Sequence, residues 1–121
     1  MNTFVIAVAS IVLSVAAQFS LKMGMGGAEI KAVLAQPFTA QTVQVVLCNF
    51  YIVVGFLLYG LGAIVWLAVL AQWDVSKAYP LVGLGFLFTV AIGTLAGEEM
   101  SLLRIAGVSM IGAGVWMVAS S

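Results

Sequence analysis

The sequence predicts an all-α membrane protein of four transmembrane helices. Three observations lead there. Of 121 residues, 64% are hydrophobic and 7% charged, whereas a soluble domain carries about 25% charged residues. The mean hydropathy is +1.27. The charged side chains gather in short clusters (Lys22, Glu29 and Lys31; Asp74 and Lys77; Glu98, Glu99 and Arg104), leaving four charge-free stretches between and around them. A bilayer span takes about 20 residues, so this length accommodates about four helices and little else. Helices are expected rather than a β-barrel because the stretches are uniformly apolar, not alternating.

Spans are expected at 3–21, 45–71, 78–97 and 102–119, forming a single transmembrane domain over 1–121. The first lacks the positively charged start of a cleaved signal peptide, since only Met-Asn-Thr precedes the apolar run. The second charge-free stretch, Ala32–Trp73, exceeds one span; Gln36-Pro37 and the polar Thr39–Gln44 divide it, and its apolar part starts near Val45. Between the first two spans, Ala28–Gln36 has a helical pattern, read either as a short helix at the membrane surface or as an ordered loop. The remaining connections are tight, so the second, third and fourth spans are expected to pack as antiparallel neighbours. Trp73 suits an interfacial anchor. Lys22, Lys31 and Arg104 on one side, against Lys77 and the α-amine on the other, mildly favour cytoplasmic first and third loops and also permit dual insertion.

Composition excludes several function classes. With formal net charge zero there is no basic excess to neutralise nucleic-acid phosphates. With no histidine, one cysteine (Cys48) and four scattered carboxylates, neither a metal nor a cofactor nor a catalytic triad is expected, and the chain is read as a non-enzyme.

Ser10, Ser14, Gln18 and Lys22 stand four residues apart, a line along one slowly drifting helix face. One reading makes it the polar wall of a transport path ending in a cation for an anionic group. The other has the serines packing helices, Gln18 bonding a neighbour and Lys22 snorkelling to the headgroups. Trp66 and Tyr79 are further candidates for substrate contact, each with an alternative in packing or interfacial anchoring. Pro80 falls in the first turn of the third span, where its missing N–H costs nothing. Gly83 and Gly85 could allow bending. Ser101 is the expected N-cap of the fourth helix, with Glu98 and Glu99 at its positive end and Arg104 pairing with one of them; the other glutamate would be free for a substrate amine. Gly107, Ser109, Gly112, Ala113 and Gly114 form an expected helix-contact face.

These features resemble the small multidrug resistance proteins of the drug/metabolite transporter superfamily. The resemblance rests on Ser14 to Lys22 on the first helix, Lys77-Ala78-Tyr79-Pro80 opening the third and Gly112-Ala113-Gly114-Val115 on the fourth. Ala17-Gln18 followed by Lys22, and Ala78-Tyr79-Pro80 leading to Gly97-Glu98, are closer to the EamA-like small subunits that flip 4-amino-4-deoxy-L-arabinose-phosphoundecaprenol across the bacterial inner membrane. That resemblance implies a dimer of four-helix subunits, with itself or with a homologous small subunit, and a lipid-linked substrate. Ser14 stands where drug exporters carry a helix-one glutamate, and no span contains a carboxylate, as exchange of a cation for protons requires. The expected function is therefore a flippase subunit for an amphipathic anion, an undecaprenyl-phosphate-linked sugar foremost. The alternatives are an exporter of small polar or cationic compounds using Glu98, and a non-transporting accessory subunit of a larger partner.

Overall fold

The computed structural model describes residues 2–121, and they form seven α-helices. These are α1 (Thr3–Met25), α2 (Ala28–Leu34), α3 (Ala40–Leu47), α4 (Phe50–Leu70), α5 (Val75–Ala78), α6 (Gly83–Leu95) and α7 (Leu102–Ala119). A 3₁₀ turn, Tyr79–Val82, joins α5 to α6, so that Val75–Leu95 makes one span. Together with α1, α4 and α7 it gives four segments long and apolar enough to cross a bilayer.

Local chemistry sets where each span starts and stops. Asn2 caps α1 by accepting from the Phe4 N–H at 2.8 Å. The second span begins at Phe50, not near Val45. Asn49 accepts from the Tyr51 and Ile52 N–H groups at 3.0 and 3.3 Å, and the residues before it form the separate helix α3. That helix opens with a reciprocal cap between Thr39 and Thr42. The stretch after Lys22 does contain a short helix, α2, anchored by the buried Ile30.

The third span is shifted towards the N-terminus of its expected range. It starts at Val75, after Asp74, and its helix ends at Leu95 because Gly97 adopts a left-handed φ of +92°. The Glu98 N–H then reaches back to the Gly93 carbonyl at 2.9 Å and the Gly97 N–H to Thr94 at 3.2 Å. This paired closure satisfies carbonyls that the helix end would leave open. Ser101 caps α7 as expected, accepting from the Arg104 N–H at 3.1 Å.

The order of packing differs from the order of connection. Helix α1 lies along α4 over most of its length, α6 lies against both α1 and α7, and α4 and α6 stand on either side of α1. The expectation that spans two, three and four pack as neighbours holds for the third and fourth and fails for the second and third: a tight connection ties the ends of α4 and α5, not their lengths. Small residues permit the α1–α4 approach. A Cβ on Gly55 would fall 2.6 Å from Leu21 Cδ2, and one on Gly62 would fall 3.3 Å from the Ser10 carbonyl oxygen. At Gly83 a Cβ would meet Val115 Cγ2 at 2.7 Å, so this glycine serves the α6–α7 contact.

The core gathers at the end of the bundle where α4 passes to α5. Ala7, Ile11, Val15, Val69, Ala78, Leu81 and Val115 form it, with Trp66, Trp73 and Phe88 packed around. Lys77 places its ammonium 4.7 Å from the centre of the Trp73 ring, fixing that anchor. At the opposite end α7 separates from the rest, and residues 101–107 are all exposed.

Candidate functional site

Because α1 stands between α4 and α6, a groove remains with α1 as its floor. Its cavity volume is about 670 Å³, within the usual range for small-molecule sites of roughly 300–1,000 Å³. Apolar surface dominates it, from Ile11, Val15, Ala63, Leu67, Val82 and Phe86. Its polar groups are Ser10, Ser14, Gln18, Tyr59, Trp66, Tyr79 and Thr89, and among the described residues no charged side chain lines it.

The polar line on α1 divides along its length. Ser10 is buried and its hydroxyl donates to the Gly62 carbonyl at 2.7 Å, a bond between α1 and α4. Ser14 lines the groove while donating to the Ile11 carbonyl of its own helix at 2.9 Å, which leaves its oxygen lone pairs as acceptors. Gln18 donates its Nε2 to the Tyr59 hydroxyl, so the Tyr59 proton stays available to a ligand. Thr89 donates to the Gly85 carbonyl at 2.6 Å, as Ser14 does on α1.

Lys22 lies on this line yet not in the groove. Four residues advance a helix by about 40° beyond a full turn, so Lys22 has rotated by about 120° relative to Ser10. It is exposed, about 6 Å further along the axis than Gln18 at 1.5 Å per residue.

Trp66 and Tyr79 do line the groove. Glu98 and Arg104 do not. The Glu98 carboxylate folds back over Gly93, where a Cβ would sit 2.9 Å from Oε2. The expected carboxylate partner of Arg104 is also corrected: its Nη1 donates to the backbone carbonyl of Glu99 at 2.9 Å.

The small residues of α7 do not share one face. Gly112 packs inward against Leu87, whereas a Cβ on Gly107 or Gly114 would meet nothing within 4 Å. Ser109 and Ala113 are exposed on another side, and the Ser109 hydroxyl donates to Ile105 within the helix at 2.8 Å. At about 100° per residue, Gly107 and Gly114 lie some 120° or more from both Gly112 and Ser109.

Sequence reasoning passed over Tyr59 and Thr89 as site residues. Thr89 was recognisable as one of few polar side chains in an apolar span, and Tyr59 as the aromatic on α4 with a hydroxyl near its middle. Ser20 was missed as well: its hydroxyl donates to the Tyr51 carbonyl at 2.7 Å, a third α1–α4 tie after Ser10 and Gln18.

Comparison with known proteins finds relatives in sequence. The chain is 43% identical over 65 residues to the probable 4-amino-4-deoxy-L-arabinose-phosphoundecaprenol flippase subunit ArnE of Erwinia tasmaniensis, covering 53% of this chain and 60% of that protein. It is 38% identical over 63 residues to a probable flippase subunit ArnF of Photorhabdus laumondii, covering 50% of each. A probable ArnF of Proteus mirabilis aligns over 116 residues at 29% identity, covering 93% of this chain and 87% of that protein. This chain is similar in sequence to small flippase subunits. The matches to the Erwinia and Photorhabdus relatives span only about half of their lengths. No protein-family profile matches the chain, and no solved structure does. The four apolar spans and these homologues together make it a multi-pass protein of the inner membrane.

Proposed function

We propose that this chain is a non-enzymatic subunit of a flippase that carries an undecaprenyl-phosphate-linked amino sugar across the inner membrane. The observation that supports it most is the uncharged groove of about 670 Å³ among α1, α4 and α6. A lipid-linked sugar keeps its tail in the bilayer, so the protein has only to replace water around the headgroup. Hydroxyl and carboxamide groups do that for a sugar ring. Aromatic faces such as Trp66 and Tyr79 cover its apolar side. The names of the homologues point to the same substrate class.

The phosphate has a separate place in this reading. Lys22, just beyond Gln18 on the loop side, meets the phosphate at the membrane surface rather than inside the groove. Arg104 is already engaged with the Glu99 carbonyl and is secondary. The groove is open, not enclosed, so a second small subunit, either another copy or a homologue, completes its wall.

The cationic-export reading loses its acid, because Glu98 lies at the end of α6 and outside the groove. Reconstitution into vesicles containing a labelled undecaprenyl-phosphate amino sugar tests the proposal. Accelerated transfer between leaflets that falls at least tenfold in Trp66→Ala supports it. Transfer at the rate of protein-free vesicles contradicts it.

A further inference from the structure

The long first loop is folded around a polar cleft of its own. Glu29, Gln41, Gln44, Val45, Cys48 and Asn49 line a cavity of about 320 Å³ where α2, α3 and the start of α4 meet. That is room for roughly ten waters at about 30 Å³ each, or one monosaccharide ring with some of them displaced. We infer that this cleft is a docking site for an ammonium-bearing sugar at the membrane surface, separate from the groove.

The chemistry of the lining supports that ligand class. Among the described residues Glu29 is the only charged group in it, and a carboxylate is an acceptor with a full negative charge. Asn49 commits its Oδ1 to the Tyr51 and Ile52 N–H groups, which leaves its NH₂ as donor. Gln41 and Gln44 each offer both donors and acceptors. One anionic acceptor among carboxamides complements a polyhydroxylated cation, whereas an anion would be repelled. The groove has no charged side chain at all, so the amine of an amino sugar meets its carboxylate here.

The walls of the cleft are held in place. Ile30 of α2 is 1% exposed and Thr42 of α3 is 3% exposed, and the Thr39–Thr42 cap fixes the start of α3. A Cβ on Gly24 would sit 2.8 Å from Asn49 Oδ1, so the end of α1 seats directly against the cleft's inner edge. Asn49 and Tyr59 are ten residues apart, about 15 Å along α4 at 1.5 Å per residue. A single sugar ring cannot touch both, so docking and passage through the groove are successive events.

The inference rests on the proposed amino-sugar substrate, and a soluble probe separates the two. Side-chain amide resonances of Gln41, Gln44 and Asn49 are followed in lipid nanodiscs during titration with 4-amino-4-deoxy-L-arabinose, L-arabinose and phosphoethanolamine. The expected result is saturable shifts with the amino sugar, at least fivefold weaker binding of arabinose and phosphoethanolamine, and at least fivefold weaker amino-sugar binding in Glu29→Gln and in Gln44→Ala. Equal binding of arabinose, or unchanged affinity in Glu29→Gln, overturns the inference. Phosphoethanolamine binding as tightly as the amino sugar also overturns it, assigning the cleft to a bulk lipid headgroup. Amino-sugar binding that persists while lipid transfer is absent supports the cleft and refutes the flippase reading instead.

Discussion

The Ser10 hydroxyl and the Gly62 carbonyl oxygen lie 2.7 Å apart, joining α1 to α4 where a missing side chain lets the two backbones approach. The pair gives Ser10, the first of the four polar residues in line on α1, the part of a helix clamp at the edge of the groove. A buried hydroxyl in an apolar span needs a partner, and the carbonyl exposed beside Gly62 supplies one. Ser10→Ala is expected to cost about 0.5–1.5 kcal/mol, since interhelical hydrogen bonds in bilayers are modest. Gly62→Leu should cost more, because it wedges the helices apart. Unfolding in mixed micelles measures both; equal stability of Gly62→Leu and the parent protein would refute the clamp.

Two glycines on facing helices should behave oppositely. Gly83→Ala places a methyl 2.7 Å from Val115 Cγ2, an overpacking worth about 1–3 kcal/mol. Gly114→Ala meets nothing within the subunit, so the isolated subunit should be unchanged or slightly stabilised. The same unfolding assay compares them, and the contrast disappears if α7 packs in some other register.

Gly97→Ala forces a side chain into a φ of +92° and should cost about 1–2 kcal/mol. It touches neither the groove nor the loop cleft. Transfer by the folded fraction is therefore expected to match the parent rate while the melting temperature falls. A loss of transfer without loss of stability would place Gly97 in the mechanism.

Within the groove, Tyr59→Phe removes the hydroxyl that accepts from Gln18 and faces the ligand. Lipid transfer should fall several-fold with little change in stability, and Gln18→Leu should resemble it. Lys22→Ala should slow transfer and weaken its dependence on salt, while Lys22→Arg retains the rate, as a phosphate contact at the surface requires. Identical rates for Lys22→Ala and the parent would remove Lys22 from the account.

Much of this architecture was legible from charge placement alone. The charged residues lie near span ends or in the first loop because ionised groups are expelled from hydrocarbon. The Ser101 cap follows from backbone chemistry that acts within a few residues, whereas Pro80 falls not in the first turn of the third span but in the 3₁₀ turn that joins α5 to α6. The start of α4 was misplaced because Val45–Leu47 are apolar enough to belong to a span, and only the cap at Asn49 separates them into α3. Which residues face one another was harder. A four-residue spacing suggests a single line from Ser10 to Lys22, but the helix turns it by about 120°, and only Ser10, Ser14 and Gln18 reach the groove. The small residues of α7 point in three directions for the same reason. The order of packing across the bundle depends on side-chain fit between helices far apart in sequence, which no local pattern encodes.

Transfer of a labelled undecaprenyl-phosphate amino sugar, set against proton-driven uptake of a quaternary ammonium ion, tests the central claim most directly. The protein is reconstituted alone and with a homologous small subunit. An uncharged groove predicts lipid transfer in at least one preparation and no ammonium uptake in either. Quaternary ammonium accumulating against a proton gradient, with the lipid left in its original leaflet, would contradict it.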